Sequence, residues 1–181
     1  MQTANLLNSP VAVTLKNGVN VSMRAIRPDD RERLARAFRN LDRESVYTRF
    51  FRYVLELTER DLKRATETDP EREVALVVTV GSGADEIIIG SGRYIVSETA
   101  GGGRSAEVAF MVEEDYQGLG IAGLILRRLA EIGRQRKISS FEAEVLAENS
   151  SMLRVFARSG LPMKKRRDGG VIHVELSLSE T

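Results

Sequence analysis

Apolar and polar positions alternate along this chain with two different periods, and each change of period marks the expected start of a new element. Residues 11–15 and 19–26 alternate as strands do around a Lys-Asn-Gly turn, which predicts an opening hairpin. Apolar positions three or four residues apart then predict a helix over residues 29–40. A short helix is predicted over residues 42–53, and Thr58 begins a further helix with a capping-box pattern.

The middle of the chain is rich in valine and isoleucine. Residues 73–80 and 86–96 predict an antiparallel strand pair joined by a glycine-rich turn, and Gly90 and Gly92 mark a bulge in that pair. Residues 108–112 are all apolar, which predicts a strand covered on both faces.

The last third of the chain continues the alternation of strands and helices. Residues 140–146 are predicted as a strand, 149–159 as a helix, 164–167 as a basic turn and 171–178 as the last strand. Because this alternation contains no internal repeat, we expect an α/β or α+β layer of mixed strands.

The segment between the apolar strand and the next helix carries the strongest functional signal. It reads Gln117-Gly-Leu-Gly-Ile-Ala122, and apolar residues at helical spacing follow it. Two glycines let backbone N–H groups approach an anion, and a helix N-terminus favours phosphate by about 0.3–2 kcal/mol. The segment lacks both the dinucleotide fingerprint G-x-G-x-x-G and the closing Gly-Lys-Ser/Thr of a P-loop. It therefore predicts a coenzyme phosphate site of a different kind.

Composition narrows the class of protein. The chain has 181 residues of which 42% are hydrophobic, which suits one domain, expected over residues 11–181 after a loose N-terminus at 1–10. A net charge of +1 gives no global attraction for nucleic acid. The chain contains no cysteine and a single histidine, His173, which we expect in a strand. A thiolate nucleophile, a disulfide and a metal centre are therefore not expected.

No targeting or membrane segment is expected. The first ten residues lack the basic and long apolar regions of a signal peptide, and no later run reaches membrane-spanning length. We therefore expect a cytoplasmic protein that does not contact a membrane. The sequence leaves the oligomeric state open, and a homodimer is one assembly that it allows.

The turn and its neighbours resemble the GCN5-related N-acetyltransferase (GNAT) superfamily, whose signature Q/R-x-x-G-x-G/A matches residues 117–122. The resemblance extends from residues 23–30 to the predicted helix after Asn149. Within the superfamily, residues 44–51, 106–109 and 144–152 are similar to the acetyltransferase domain of bacterial protein-lysine acetyltransferases. The resemblance implies a GNAT fold, with a mixed, mostly antiparallel central sheet, helices on both faces and a splayed strand pair.

The resemblance also implies the site residues. Acetyl-CoA would be the cosubstrate, and its expected contacts are Phe110, Met111 and Val112 for the pantetheine and Gln117, Gly118, Leu119, Gly120, Ile121 and Ala122 for the pyrophosphate. Asn149 would either bind the pantetheine arm or cap the following helix. Phe156 stands where many members carry a tyrosine acid, so a tyrosine acid is not expected, and Phe156 is expected to pack against the coenzyme or the core.

Glu107 is an ionisable residue at the start of an apolar strand, where partial burial would suit it to proton removal, and the alternative is a solvated residue at the strand end. With the resemblance, Glu107 is the expected general base. Tyr47, Arg49, Phe50 and Phe51 are candidates for the acceptor site, with core packing as the alternative. The sequence thus predicts an acetyl-CoA-dependent N-acetyltransferase acting on a primary amine, preferably a protein lysine. The alternatives are a small amine such as a polyamine, amino acid or antibiotic, and a non-catalytic acyl-CoA-binding sensor.

Overall fold

The computed structural model describes residues 7, 9–43, 56–98 and 103–179, and they form one eight-stranded sheet with helices on both faces. The strands are β1 (Val11–Thr14), β2 (Asn20–Ala25), β3 (Glu73–Val80), β4 (Ile87–Glu98), β5 (Arg104–Val112), β6 (Ser140–Leu146), β7 (Met163–Asp168) and β8 (Val171–Ser177). Their order is β1-β2-β3-β4-β5-β6-β8-β7, and among these described strands only β5 and β6 pair in parallel. This confirms the predicted mixed, mostly antiparallel sheet.

Among the residues that the structure describes, two helices lie on each face of the sheet. They are α1 (Arg31–Arg39), α2 (Glu59–Thr66), α3 (Ile121–Gln135) and α4 (Ser150–Ala157). The larger hydrophobic cluster packs α3 and α4 against the sheet, and a smaller one packs α1 and α2 against the opposite face. The predicted capping box starts α2, because Thr58 Oγ1 accepts from the Asp61 N–H at 3.1 Å and Asp61 Oδ2 accepts from the Thr58 N–H at 2.9 Å.

The α3 helix lies very close to the sheet. A Cβ built on Gly92 would clash with Ile125 and lie 2.9 Å from Phe110 Cδ1, and one on Gly90 would lie 2.7 Å from Ile121 Cγ2. The β3–β4 register shifts beside Gly90, as expected for the predicted bulge. Gly92 has a different role, because its missing side chain makes room for the helix and for Phe110.

The α1 and α2 face depends on ion pairs as well as on its small apolar cluster. Arg24 on β2 is 5% exposed and binds both carboxylate oxygens of the fully buried Asp30, at 2.7 and 2.8 Å. Asp30 also accepts from the Arg27 N–H at 2.8 Å. Burial alone would raise the pKa of Asp30, but Arg24 and the Arg27 N–H hold it below its usual range. Arg93 on β4 forms a second pair with the buried Glu73.

One predicted element is wrong. Residues 164–167 were expected to form a basic turn, but they lie in β7, an edge strand that pairs antiparallel with β8. Residues 164–168 are all exposed, so the strand has no buried face and its sequence shows no alternation of apolar and polar residues. Exposed lysine is common on edge strands, where it discourages pairing with other chains. The hairpin turn carries Gly169 and Gly170, a recognised turn signal.

Several expectations fall on residues that the structure does not describe. The loose N-terminus and the short helix over residues 42–53 lie largely outside the described residues, and the candidate acceptor residues Tyr47, Arg49, Phe50 and Phe51 lie entirely outside them. In the described part of the chain, no helix combines the length and apolar character needed to span a bilayer. His173 lies in β8 as expected, with its Nδ1 3.3 Å from Glu144 Oε1.

Candidate active site

The site begins where two neighbouring strands separate. β5 and β6 pair only through residues 105–107 and 140–142, and the pairing ends at Glu107 and Glu142. Beyond that point both strands continue, to Val112 and Leu146, without pairing to each other. This confirms the predicted splay. Within the part of the chain that the structure describes, the stretch from Val108 to Val112 therefore has a strand partner, β4, on one side only.

A cleft of about 1220 Å³ extends from this gap along the first turns of α3 and α4. All twelve residues that the sequence singled out for catalysis or coenzyme contact border it: Glu107, Phe110, Met111, Val112, Gln117, Gly118, Leu119, Gly120, Ile121, Ala122, Asn149 and Phe156. The fold thus brings strand, turn and helix residues from distant parts of the sequence to a single cleft.

The glycine turn forms one end of the cleft. Gly118 and Gly120 have φ values of 77° and 94°, in the left-handed region that glycine adopts without a steric penalty. A Cβ on Gly118 would meet no atom within 4 Å, so space is open beside the turn. The Gln117 side chain donates from Nε2 to the Val112 carbonyl at 3.1 Å and so ties the turn to the end of β5.

The first backbone N–H groups of α3 are available to an anion. The Leu124 N–H donates to the Gly120 carbonyl at 3.0 Å, which closes the first helical turn. The N–H groups before it at the start of a helix have no helical acceptor. Gly123 is open to the cleft, because a Cβ there would also meet nothing within 4 Å. These amides and the helix dipole fit the diphosphate of a coenzyme.

Aromatic rings line the middle of the cleft. Phe110 and Phe156 meet edge to face with their ring centroids 6.0 Å apart, and Phe156 is only 1% exposed. Phe156 therefore packs in the core, as expected. Phe110 and Val112 join the larger hydrophobic cluster, whereas Met111 joins the smaller one on the opposite face. The apolar strand is thus packed on both faces, as its sequence predicts.

Asn149 caps α4. Its Oδ1 accepts from the Met152 N–H at 3.1 Å, and helix capping is one of the two roles expected from the sequence. The side chain also borders the cleft, and its amide group remains as a donor there. One asparagine can therefore serve both the helix and a ligand.

Glu107 lies at the other end of the cleft, where the strands begin to separate. Its side chain is exposed, so the expected partial burial is wrong. The reason is strand alternation: Ala106 and Val108 face the large cluster under α3, and Glu107 points to the α1 and α2 face. On that face β6 and β8 carry exposed glutamates at paired positions, Glu142 and Glu175.

An acidic turn, residues 113–115, follows β5. Burial raises the pKa of Glu113, and Asp115 and Glu114 raise it further. Glu114 Oε1 accepts from the Asp42 N–H at 3.1 Å, which ties this turn to the segment after α1. At least one carboxylate of this turn therefore has a structural role, since Glu114 binds the backbone after α1.

The sequence did not point to every residue of the cleft. The β1–β2 hairpin contributes Val13, Thr14, Leu15 and Lys16, although it is far from the glycine turn along the chain. No motif marks these residues, because their position depends on how α3 crosses the sheet.

A family model described as an acetyltransferase (GNAT) domain matches residues 20–162, which is most of the chain. The chain therefore belongs to this family and is a GNAT-type N-acetyltransferase domain. The glycine turn and the splayed strands both lie within the matched region.

Individual relatives agree with this assignment. The chain is 29% identical over 170 residues to "Acetyltransferase Pat" of Mycolicibacterium smegmatis; this match covers 94% of the chain and 49% of the relative, so the chain spans about half of that protein's length. The crystal structure of the GNAT domain of S. lividans PAT superposes with a TM-score of 0.82 at 34% identity, covering 93% of this chain and 96% of the other. The protein yncA of Salmonella typhimurium, solved with its cofactor acetyl-CoA, has a TM-score of 0.70 at 15% identity over 89% and 95% of the two chains, which shows a shared fold.

Proposed function

We propose that this domain transfers the acetyl group of acetyl-CoA directly to a primary amine, and that the acceptor is a lysine side chain of a protein. The observation that carries the proposal is the position of the splay. Pairing between β5 and β6 ends at Glu107, so a carboxylate and the glycine turn lie at opposite ends of one cleft. A thioester lying along the cleft would be within reach of an amine at Glu107.

The residues present fit acetyl-CoA. Backbone N–H groups of residues 118–123 would hold the pyrophosphate, and the unpaired side of β5 offers backbone groups to the pantetheine amides. Phe110 and Val112 supply apolar contacts beside that strand. Acetyl-CoA supplies an activated acyl group, and the protein supplies orientation and proton removal.

Glu107 would act as the general base. A lysine with a pKa of about 10.4 is mostly protonated at neutral pH, which costs roughly 4–5 kcal/mol before attack. A carboxylate that accepts this proton, directly or through water, contributes about 10²–10⁴-fold to the rate. Exposure of Glu107 allows a bulky acceptor to reach it, which a closed pocket would not.

The charge around Glu107 supports a cationic acceptor. Exposed Glu107, Glu142 and Glu175 lie side by side on β5, β6 and β8, since Glu142 pairs with both of the other two. A row of carboxylates attracts a lysine and raises its local concentration. Resemblance to bacterial protein-lysine acetyltransferases points to the same acceptor.

A small-amine acceptor is the second candidate. A cavity of about 230 Å³ lies between the sheet and α1 and α2, on the face to which Glu107 points, and Ala109 and Met111 of β5 are among its lining residues. A cavity of this size would hold a small molecule. Arg64 and Arg93 oppose a cationic amine there, although Asp61 also lines the cavity and Arg93 is paired with Glu73.

The deciding experiment uses labelled acetyl-CoA, the purified protein and a lysate of its native cells. We expect label on protein lysines, located by mass spectrometry, with E107Q as the inactive control. Label on metabolites alone would establish the small-amine activity. Tight binding of acetyl-CoA with no transfer to any fraction would instead identify a non-catalytic sensor.

A further inference from the structure

The proposed coenzyme carries more negative charge than the glycine turn alone can neutralise. Coenzyme A has a pyrophosphate and a 3′-phosphate, whereas a helix N-terminus supplies a partial charge of only about +0.5. The remaining charge calls for cationic side chains. The described residues bordering the cleft include five: Lys16, Arg127, Arg134, Arg154 and Arg158.

Lys16 lies close to the glycine turn. A Cβ built on Gly120 would lie 3.9 Å from Lys16 Cε, so the ammonium group, one bond further on, stays close to the turn. Arg134 by contrast donates to the Leu178 carbonyl at 3.0 Å, and Arg154 donates to Ser151 Oγ at 3.4 Å. Lys16 has no carboxylate partner among the residues that the structure describes.

The backbone of Lys16 is held in place by its hairpin. The Leu15 N–H donates to the Val19 carbonyl at 2.8 Å, and the Gly18 N–H donates to the Leu15 carbonyl at 2.9 Å. Leu15 is 6% exposed and belongs to the larger hydrophobic cluster together with Ile121 at the start of α3. The hairpin and the helix N-terminus are therefore parts of one packed unit.

The geometry points to Lys16 as a coenzyme-binding residue whose ammonium group donates to the pyrophosphate held on the glycine turn. This inference rests on the proposed use of acetyl-CoA. The pyrophosphate is contacted from one side by the backbone N–H groups of α3 and from the other by a cation of the β1–β2 hairpin. Because the contact involves a phosphate common to all forms of the coenzyme, Lys16 strengthens binding whatever acyl group is attached.

Calorimetric titration with coenzyme A and its fragments shows which phosphate group Lys16 contacts. Wild type, K16M and K16R are titrated with coenzyme A, 3′-dephospho-coenzyme A and pantetheine, with K165M on the exposed strand β7 as the matched control. We expect K16M to weaken binding of coenzyme A and of the dephospho form equally, by about three- to tenfold, as for a charge-assisted contact at an exposed site. K16R is expected to restore most of the affinity, and K165M to leave it unchanged.

Added salt provides a second readout, because it screens exposed charges. The affinity of wild type is expected to fall more steeply with salt than that of K16M. The inference is overturned if K16M binds coenzyme A as tightly as wild type does. It is also overturned if K16M binds coenzyme A more weakly than wild type but binds the dephospho form equally tightly, because Lys16 would then contact the 3′-phosphate. Absence of binding by wild type would instead overturn the proposed function.

Discussion

The two faces of the sheet are stabilised in different ways and carry different parts of the site. Under α3 and α4 lies a large apolar cluster, and there the backbone N–H groups of the glycine turn offer the anion contacts. Under α1 and α2 the apolar cluster has five buried members among the described residues, and the pairs Arg24–Asp30 and Arg93–Glu73 accompany it. Glu107 points to this second face. Coenzyme binding is thus expected to depend mainly on backbone geometry, with Lys16 as an added side-chain contact, and turnover on the exposed side chain of Glu107.

The strongest test of this division is E107Q. We expect kcat to fall about 10²–10⁴-fold, because the amide cannot accept a proton from the amine. Acetyl-CoA affinity and Tm are expected to stay at wild-type values, since the side chain is exposed. Steady-state kinetics, calorimetry and thermal unfolding measure the three quantities.

Glu142 offers a matched control, because it is exposed and pairs directly with Glu107 across the parallel strands. E142Q is expected to change kcat only slightly. An equal fall in both variants would show that the charge of the face matters and that neither residue is the base.

The second test concerns the ion pair beneath α1. D30N should destabilise the protein, toward the lower end of about 3–5 kcal/mol, because it removes the buried carboxylate that binds Arg24 through both oxygens and leaves the buried arginine with Glu86. Denaturant unfolding measures this change, and D29N, at an exposed neighbouring position, is the control, expected within about 0.5 kcal/mol of wild type.

The same pair predicts a pH dependence. The pKa of Asp30 lies below its usual range in the folded protein, so its contribution to stability is present above the unfolded value of about 3.9 and is lost as the pH falls through the folded value. Wild type should therefore lose stability on acidification more steeply than D30N. Parallel acid profiles for the two proteins would contradict this assignment.

The third test concerns the coenzyme end. G120A forces alanine into a left-handed conformation and should cost about 1–2 kcal/mol of stability while weakening acetyl-CoA binding. Gly169, in the β7–β8 turn, also has a positive φ and open space around it, so G169A carries a similar strain. Only G120A should change coenzyme affinity. If both variants lost the same affinity, the effect would come from global destabilisation.

The smallest effect is expected at Asn149, where two roles need separating. N149A should destabilise α4 by about 1 kcal/mol through loss of the cap. N149D keeps the capping oxygen but loses the amide donor, so it should retain Tm and bind acetyl-CoA more weakly. Unchanged coenzyme affinity in N149D would leave Asn149 with the capping role alone.

Local sequence patterns were enough to predict much of this fold. The capping box at Thr58 and the glycine turn before α3 follow from residues adjacent in sequence, and the structure places both as predicted. The packing of residues 108–112 on both faces also follows from their apolar run. The splayed strand pair came from the family resemblance, since nothing in the two strands themselves prevents continued pairing.

The remaining differences between the sequence-based predictions and the structure have causes in the tertiary structure. Glu107 was expected to be partly buried because its neighbours are apolar, but alternation along β5 turns it to the exposed face. Strand β7 was missed because an edge strand exposed on both faces has no apolar period. Lys16 lies near the glycine turn because the fold brings the β1–β2 hairpin beside the start of α3, a proximity that no local pattern encodes.

The basic edge of the sheet affects how the protein behaves at high concentration. β7 is at one edge, and Lys164, Lys165, Arg166 and Arg167 are all exposed along it. Two such edges approaching each other would bring like charges together, so the sheet resists growing by strand addition from a second molecule. The net charge of +1 offers little general repulsion between molecules, which makes this local charge the main barrier to edge-to-edge aggregation at β7.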